Sequence, residues 1–178
     1  HSLWYTALFT IVSVLFINII AFAVAMLLTK GIKGTNVFRT VFFMPNLIGG
    51  IILGYIWQLI LNGLLANLER TLTYNSAYGF WGLVILMCWQ QVGYMMIIYI
   101  AGIQNIPGDL IEAAKIDGAN NRQLLRHVTL PMVMPSITIC SFLTLTNSFK
   151  LFDQNLALTA GEPSNKSEML ALNIFNTF

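Results

Sequence analysis

Residues 2–29 read SLWYTALFTIVSVLFINIIAFAVAMLLT, a run of uncharged and mostly apolar side chains. An α-helix needs about 20 such residues to cross the hydrocarbon core of a bilayer, which is about 30 Å thick. Three further charge-free runs, 40–68, 71–108 and 129–149, each have room for one such helix. The four runs predict an all-α integral membrane protein that crosses the bilayer several times.

The composition excludes several other classes of protein. Of the 178 residues, 57% are apolar and only 9% are charged, whereas about 25% are charged in an ordinary soluble domain. So few charged residues cannot cover the surface of a typical soluble enzyme, and a disordered tail would be far more polar than this chain. The net charge of +2 is too low for a nucleic-acid-binding surface, so nucleic acid is not expected as a partner.

Cysteine and histidine positions favour neither a disulfide nor a metal site. Cys88 and Cys140 each lie in the middle of an apolar run, where buried free thiols are the simpler interpretation. The two histidines, His1 and His127, have no neighbour at metal-ligand spacing. We therefore expect no metal site and no catalytic residue.

The runs predict spans at about 3–28, 40–62, 80–104 and 131–151, with a truncated helix that opens near residue 168. The expected fold is a single transmembrane domain over 1–178, with about five helices, in a fragment of a longer protein. Lys30, Lys33, Arg39, Lys115, Arg122 and Arg126 fall on one side, and Arg70, Lys150 and Lys166 on the other. Because basic residues accumulate on the cytoplasmic side, segments 29–39 and 105–130 are predicted to be cytoplasmic.

Polar side chains inside the spans are the candidates for a solute path. Gln90 and Tyr94 are four residues apart and share a helix face, and Gln91 and Asn147 also fall at membrane depth. They could line a path for a hydrophilic solute, or they could form hydrogen bonds between packed helices. Gly50 and Gly54 have the spacing of a close helix contact, although small residues are also common in membrane helices.

Segment 105–130 has an amphipathic helical pattern. Asp109 is a candidate N-cap with Glu112 at the capping-box position, Gly118 can end the helix, and Asn120 can cap a second short helix. Such a bent helix pair could dock into a groove of a soluble partner. It could equally rest on lipid head groups.

The same segment carries a specific pattern. Glu112-Ala113-Ala114, three residues, Gly118, nine residues and then Val128-Thr129-Leu130-Pro131 resembles the EAA loop of inner-membrane permease subunits of ATP-binding-cassette importers. Val128 stands where that family most often has isoleucine. The stretch 112–119 is most similar to the carbohydrate-uptake branch.

A second block resembles the same branch. Phe149-Lys-Leu-Phe152-Asp153, followed by Leu158-Thr159-Ala-Gly161-Glu162-Pro163, is similar to the F-x-x-F-D…L-T-x-G-G-P signature of the maltose-F-like and glycerol-phosphate-A-like subunits. Glu162 replaces the second glycine of that signature. The resemblance covers essentially the whole chain.

The resemblance implies a polytopic helical permease core of the type I importer kind, which moves a sugar or polyol by alternating access in a bacterial inner membrane. It implies that loop 105–130 couples to a cytoplasmic ATPase dimer through Glu112, Ala113, Ala114, Asp117, Gly118 and Arg122. A second permease subunit and an extracytoplasmic solute-binding protein are the other implied partners, beside membrane lipid. The sequence has no G-x-x-x-x-G-K-[ST] motif, so this chain is expected to be no enzyme and to need no cofactor, with ATP and magnesium bound by the ATPase.

Two other functions are weighed against this one. An intramembrane enzyme would need acid, base or nucleophile side chains at depth, and the four charge-free runs contain no Asp, Glu, Lys, Arg or His. A secondary transporter driven by an ion gradient usually has an intramembrane carboxylate or interrupted helices. The only candidates for such a carboxylate or its counter-charge, Lys150 and Asp153, fall at an external helix end.

Overall fold

The computed structural model describes residues 2–31, 33–66, 69–164 and 166–177. In these ranges the chain is built from helices joined by turns. The helices are α1 (Ser2–Leu28), α2 (Thr35–Phe43), α3 (Gly50–Ala66), α4 (Ser76–Gln104), α5 (Gly108–Ile116), α6 (Asn121–Leu124), α7 (Leu130–Phe149), α8 (Asp153–Leu158) and α9 (Leu170–Thr177).

Among the described residues, three helical stretches are long and apolar enough to cross a membrane: Ser2–Leu28, Ser76–Gln104 and the continuous Asn121–Phe149. A fourth crossing is possible if the bent pair Thr35–Leu47 and Gly50–Ala66 counts as one span. The prediction of an all-α, multi-pass fold is confirmed: three or four spans correspond to the four predicted ones, and α9 corresponds to the predicted truncated helix. Helix α9 has 8 residues, too few to cross a bilayer.

The predicted single helix at 40–62 is wrong, because the chain bends by 101° within it. Helix α2 ends at Phe43 and is followed by a 3-10 turn, Met44–Leu47, that contains Pro45. Proline has no N–H to donate to the carbonyl one turn back, which stops the α-helix. Ile48 is then extended, and α3 starts two residues later at Gly50.

Helix α4 lies at the centre of the fold and packs against α1, α2, α3, α7 and α8. Within an apolar stretch of 18 residues of α4, 61% of the residues are buried. The corresponding share is 28% for α1 and 22% for the span that contains α7. Two glycines let neighbours approach closely. A Cβ on Gly93 would overlap the carbonyl of Phe42, and one on Gly102 would overlap the side chain of Ser136.

Helices α3 and α8 form the second close contact, on the face that carries Gly50 and Gly54. A Cβ on Gly50 would lie 2.8 Å from the Cβ of Asp153, and one on Gly54 would lie 2.7 Å from the Cβ of Ala157. The spacing of the two glycines therefore marks a true helix contact. The partner is the short helix α8, which directly follows α7.

Helix α7 begins irregularly because two prolines lie in and near its first turn. The π-helical turn Leu125–Thr129 joins α6 to α7, and the N–H of Leu130 donates to the carbonyl of Leu125. Pro131 and Pro135 cannot donate to the carbonyls one turn back. The wider π-turn accommodates this loss while the helix continues.

Alanine substitutions of two glycines in α3 test the α3–α8 contact. Gly54→Ala is expected to destabilise the protein by about 1–3 kcal/mol, because the added methyl group overpacks the contact with Ala157. Gly63→Ala is the matched control, since a Cβ there meets nothing within 4 Å, and it should be neutral or stabilising by up to about 1 kcal/mol. Thermal unfolding of both variants in detergent measures the difference. Equal melting temperatures would show that the two helices do not depend on this approach.

Candidate functional site

Helix α5 carries the E-A-A residues on a segment that lies between the ends of α4 and α7. It starts at Gly108 with Pro107 as its N-cap residue, and Asp109 lies in the first turn. The predicted N-cap at Asp109 is therefore wrong by two positions, because the extended backbone of Pro107 sets the helix start earlier. Asp109 still lies where a carboxylate interacts favourably with the helix dipole.

The turn after α5 is fixed by backbone hydrogen bonds. Gly118 has φ +82°, a conformation that glycine adopts without strain. Its N–H donates to the carbonyl of Lys115, and the N–H of Ala119 donates to the carbonyl of Ala114, both at 3.0 Å. This pair of bonds is a Schellman motif, and it confirms that Gly118 ends the helix.

The second short helix, α6, begins with the predicted cap. The N–H of Gln123 donates to Oδ1 of Asn120, and the N–H of Asn120 donates to Oε1 of Gln123, both at 2.9 Å. These reciprocal bonds form a capping box. A shallow open cavity of about 300 Å³ lies beside the turn between α5 and α6. Its lining includes Ala114, Gly118, Leu124 and His127.

The two faces of α5 differ in chemistry. Ile111 and Ala114 are half-buried toward the rest of the fold, while Asp109 and Glu112 are exposed. Ile116, one turn after Glu112, is 86% exposed. Ala113, Asp117 and Arg122 are exposed as well. The outward surface, defined by Asp109, Glu112, Ala113 and Ile116 and called here the α5 face, combines two carboxylates with an uncovered apolar side chain.

At membrane depth the structure brings two of the candidate solute-path residues into contact. Nδ2 of Asn147 donates to Oε1 of Gln91 at 3.3 Å, which joins α7 to α4. Both side chains are half-buried. Tyr94 is also half-buried, and its ring packs 6.4 Å from that of Phe43, centroid to centroid.

Gln90 lies in a different environment from its neighbour. It is 6% exposed, its Nε2 donates to the carbonyl of Ile48 at 3.4 Å, and its Oε1 accepts from Nε2 of Gln154 at 2.9 Å. Other amides at depth behave similarly. Nε2 of Gln58 donates to the carbonyl of Leu158 at 3.1 Å, and Oδ1 of Asn18 accepts from the hydroxyl of Tyr99 at 2.6 Å. For these side chains the structure shows hydrogen bonding between packed helices.

The segment after α8 is organised by one buried asparagine. Nδ2 of Asn155 donates to the carbonyl of Ser167 at 2.9 Å and to Oγ1 of Thr159 at 3.1 Å. Its Oδ1 accepts from the N–H of Met169 at 3.0 Å. Asn155 is fully buried and so ties α8 to Ser167 and Met169, directly before α9.

Sequence reasoning missed three residues of these regions. Ile116 could have been found, because it stands four residues after Glu112 on the same helix face. Gln154 carries no pattern of its own, since its partner Gln90 is distant in the sequence. Asn155 carries none either, because its partners Ser167 and Met169 lie in an irregular segment without a recognisable spacing.

The chain matches, over residues 2–177, the family described as binding-protein-dependent transport system inner membrane component. It is 48% identical to the probable starch degradation products transport system permease protein AmyD of Thermoanaerobacterium thermosulfurigenes, with 99% of the chain and 63% of that protein covered. It is 30% identical to the multiple sugar-binding transport system permease protein MsmF of Streptococcus mutans, over 98% of the chain and 63% of that protein. The chain therefore spans less than two thirds of the length of these relatives.

The fold is similar to a solved structure as well. A chain of a bacterial ABC transporter involved in the import of the acidic polysaccharide alginate superposes with a TM-score of 0.81, at 19% identity, over 98% of this chain and 66% of that one. At this identity the likeness concerns the fold alone. The sequence match over residues 2–177 shows that the chain belongs to the family of binding-protein-dependent transport system inner membrane components, and the fold agrees with this.

Proposed function

We propose that this chain is the translocating part of a permease subunit in an ATP-driven, binding-protein-dependent sugar importer. The α5 face carries the proposal, because it places Glu112 and Ala113 of the E-A-A pattern outward on an ordered helix at one end of two membrane-spanning helices. The names of the relatives AmyD and MsmF, which refer to starch degradation products and to multiple sugars, support a sugar as solute over a polyol or an ion.

The chemistry of the α5 face favours a protein partner over lipid. Asp109 and Glu112 would be repelled by anionic head groups, and α5 has one exposed lysine, Lys115, against these two carboxylates. A lipid-bound helix usually presents an excess of basic residues next to its apolar face. Ile116 leaves a large apolar side chain in water until a partner covers it, and burial of such a side chain is favourable by about 1.5–3 kcal/mol. Loop 105–130 is accordingly proposed as the cytoplasmic docking site for the ATPase, with Glu112, Ala113, Ala114, Asp117, Gly118 and Arg122 as coupling residues.

The proposed complex contains a second permease subunit, an ATPase dimer and an extracytoplasmic solute-binding protein. ATP and magnesium belong to the ATPase, since this sequence lacks a phosphate-binding loop. The solute-binding protein would meet the end of α7 opposite loop 105–130, where α8 and the segment after it lie.

The solute path is proposed along the α4–α7 contact. Gln91, Tyr94 and Asn147 offer amide and hydroxyl groups that suit sugar hydroxyls. The bond between Gln91 and Asn147, at 3.3 Å, leaves each amide with further hydrogen-bonding capacity. Gln90 differs from these residues, because both ends of its amide are engaged by Ile48 and Gln154.

Glu112→Ala tests the docking site. The variant is expected to insert normally but to lose nearly all solute-stimulated ATP hydrolysis in the reconstituted complex, because it removes a carboxylate from the centre of the α5 face. Lys33→Ala, which removes an exposed charge from the other predicted cytoplasmic segment, serves as the control and should behave like the wild type. Normal uptake by Glu112→Ala would exclude the α5 face as the coupling site.

Valine substitutions at two exposed glycines test the turn after α5. A Cβ meets nothing within 4 Å at either Gly108 or Gly118, but only Gly118 has a positive φ, +82°. Gly118→Val should cost about 1–2 kcal/mol of local stability, increase hydrogen exchange across α5 and α6, and lower stimulated ATP hydrolysis. Gly108→Val should produce none of these three effects. Equal exchange in the two variants would contradict the role of the turn.

A cysteine scan tests the solute path. Cys88 and Cys140 are first replaced by alanine, and single cysteines are then placed at Gln91, Tyr94, Asn147 and, as a control exposed on α4, Ile97. In the complex, the sugar that stimulates ATP hydrolysis, chosen from a panel that includes maltotriose, should slow thiol labelling at the first three positions and not at the fourth. Absence of protection at all three positions would refute the path.

A further inference from the structure

The side chain of Gln90 connects three separate elements of the fold. It projects from α4, donates to the carbonyl of Ile48 at the break between α2 and α3, and accepts from Gln154 on α8. Gln90 is 6% exposed and Gln154 is half-buried. The two bonds are therefore partly buried between these elements.

The break creates the need for such a bond. Because Ile48 is extended, its carbonyl is outside the regular hydrogen bonding of a helix, and a bilayer supplies no water to replace that bond. An unsatisfied buried carbonyl is costly. The amide of Gln90 meets this need with its nitrogen, and its oxygen remains free to accept from α8.

Helix α8 and the start of α3 behave as one packed unit. The contacts of Gly50 with Asp153 and of Gly54 with Ala157 leave no room for a side chain between them. Gln58, one turn further along α3, donates to the last carbonyl of α8, at Leu158, at 3.1 Å. A displacement of α8 would thus carry the start of α3 with it.

We propose that Gln90 is a positioning residue that links this α3–α8 unit to the central helix α4. Through it, a movement of α8 at one end of α7 is passed to the α2–α3 break and to α4, which leads directly into loop 105–130. The inference rests on the proposed function and deepens it, since it identifies how engagement of the solute-binding protein near α8 reaches the docking site. It also separates Gln90 from the solute path.

The test uses the complete reconstituted transporter with its binding protein and the sugar that stimulates the wild-type complex. Four variants are compared: Gln90→Leu, Gln154→Leu, the double variant, and Gln104→Leu, which replaces an exposed glutamine at the end of α4. Two quantities are measured, the ratio of stimulated to basal ATP hydrolysis and the KM for sugar uptake.

The link predicts that Gln90→Leu and Gln154→Leu each lower the stimulation ratio roughly fivefold or more. The double variant should fall no further than the single ones, because both remove the same interaction. The KM for uptake should stay at the wild-type value, and Gln104→Leu should match the wild type throughout. If Gln90→Leu fails to reach the membrane, a lowered ratio in Gln154→Leu alone supports the link.

Other results would contradict the proposed link between Gln90 and Gln154. A raised KM with an unchanged stimulation ratio in Gln90→Leu would make Gln90 a solute ligand. A wild-type ratio in Gln154→Leu, or additive losses in the double variant, would show that the two glutamines do not act together. A wild-type complex that no sugar stimulates would instead contradict the proposed function, so the two failures are distinguishable.

Discussion

A backbone group within a bilayer must find its hydrogen-bond partner inside the protein. The break between α2 and α3 frees such a group, the carbonyl of Ile48, from regular helix hydrogen bonding. Pro45 ends one helix, Ile48 is extended, and the next helix leaves at 101°. At this bend α4 supplies an amide to the freed carbonyl, since Nε2 of Gln90 donates to the carbonyl of Ile48 at 3.4 Å. The position of the bent pair therefore depends on α4, as do the close approaches at Gly93 and Gly102.

The same helix connects membrane depth to the loop at its end. α4 runs to Gln104, and Ile106 is buried where the loop begins. On the other side of the loop, α6 and the π-turn continue into α7 without interruption from Asn121 to Phe149. Because α5 is held between two long, packed helices, a force on the α5 face acts on both of them.

Local features of the fold could be read from the sequence, and tertiary ones could not. Charge-free runs located α1, α4 and α7, and Gly118 and Asn120 marked a turn and a cap whose bonds involve only nearby residues. The break at Pro45 was missed, because proline is tolerated in the first turn of a helix and the sequence does not show where that turn begins. The E-A-A pattern identified the family, and the four-residue spacing already places Ile116 on the same helix face as Glu112, yet the contact of Gln90 with Gln154 required the structure.

Gln90 and Gln91 show why the polar residues at depth could not be assigned from their type. They are identical and adjacent, but a helix rotates by about 100° per residue, so they face different neighbours. Gln90 meets the break and α8, while Gln91 meets Asn147 on α7. One turn of α4 thus holds both the link to α8 and the proposed solute-binding surface. A rotation of α4 that altered one would alter the other, which provides a direct physical route for solute and coupling to depend on each other.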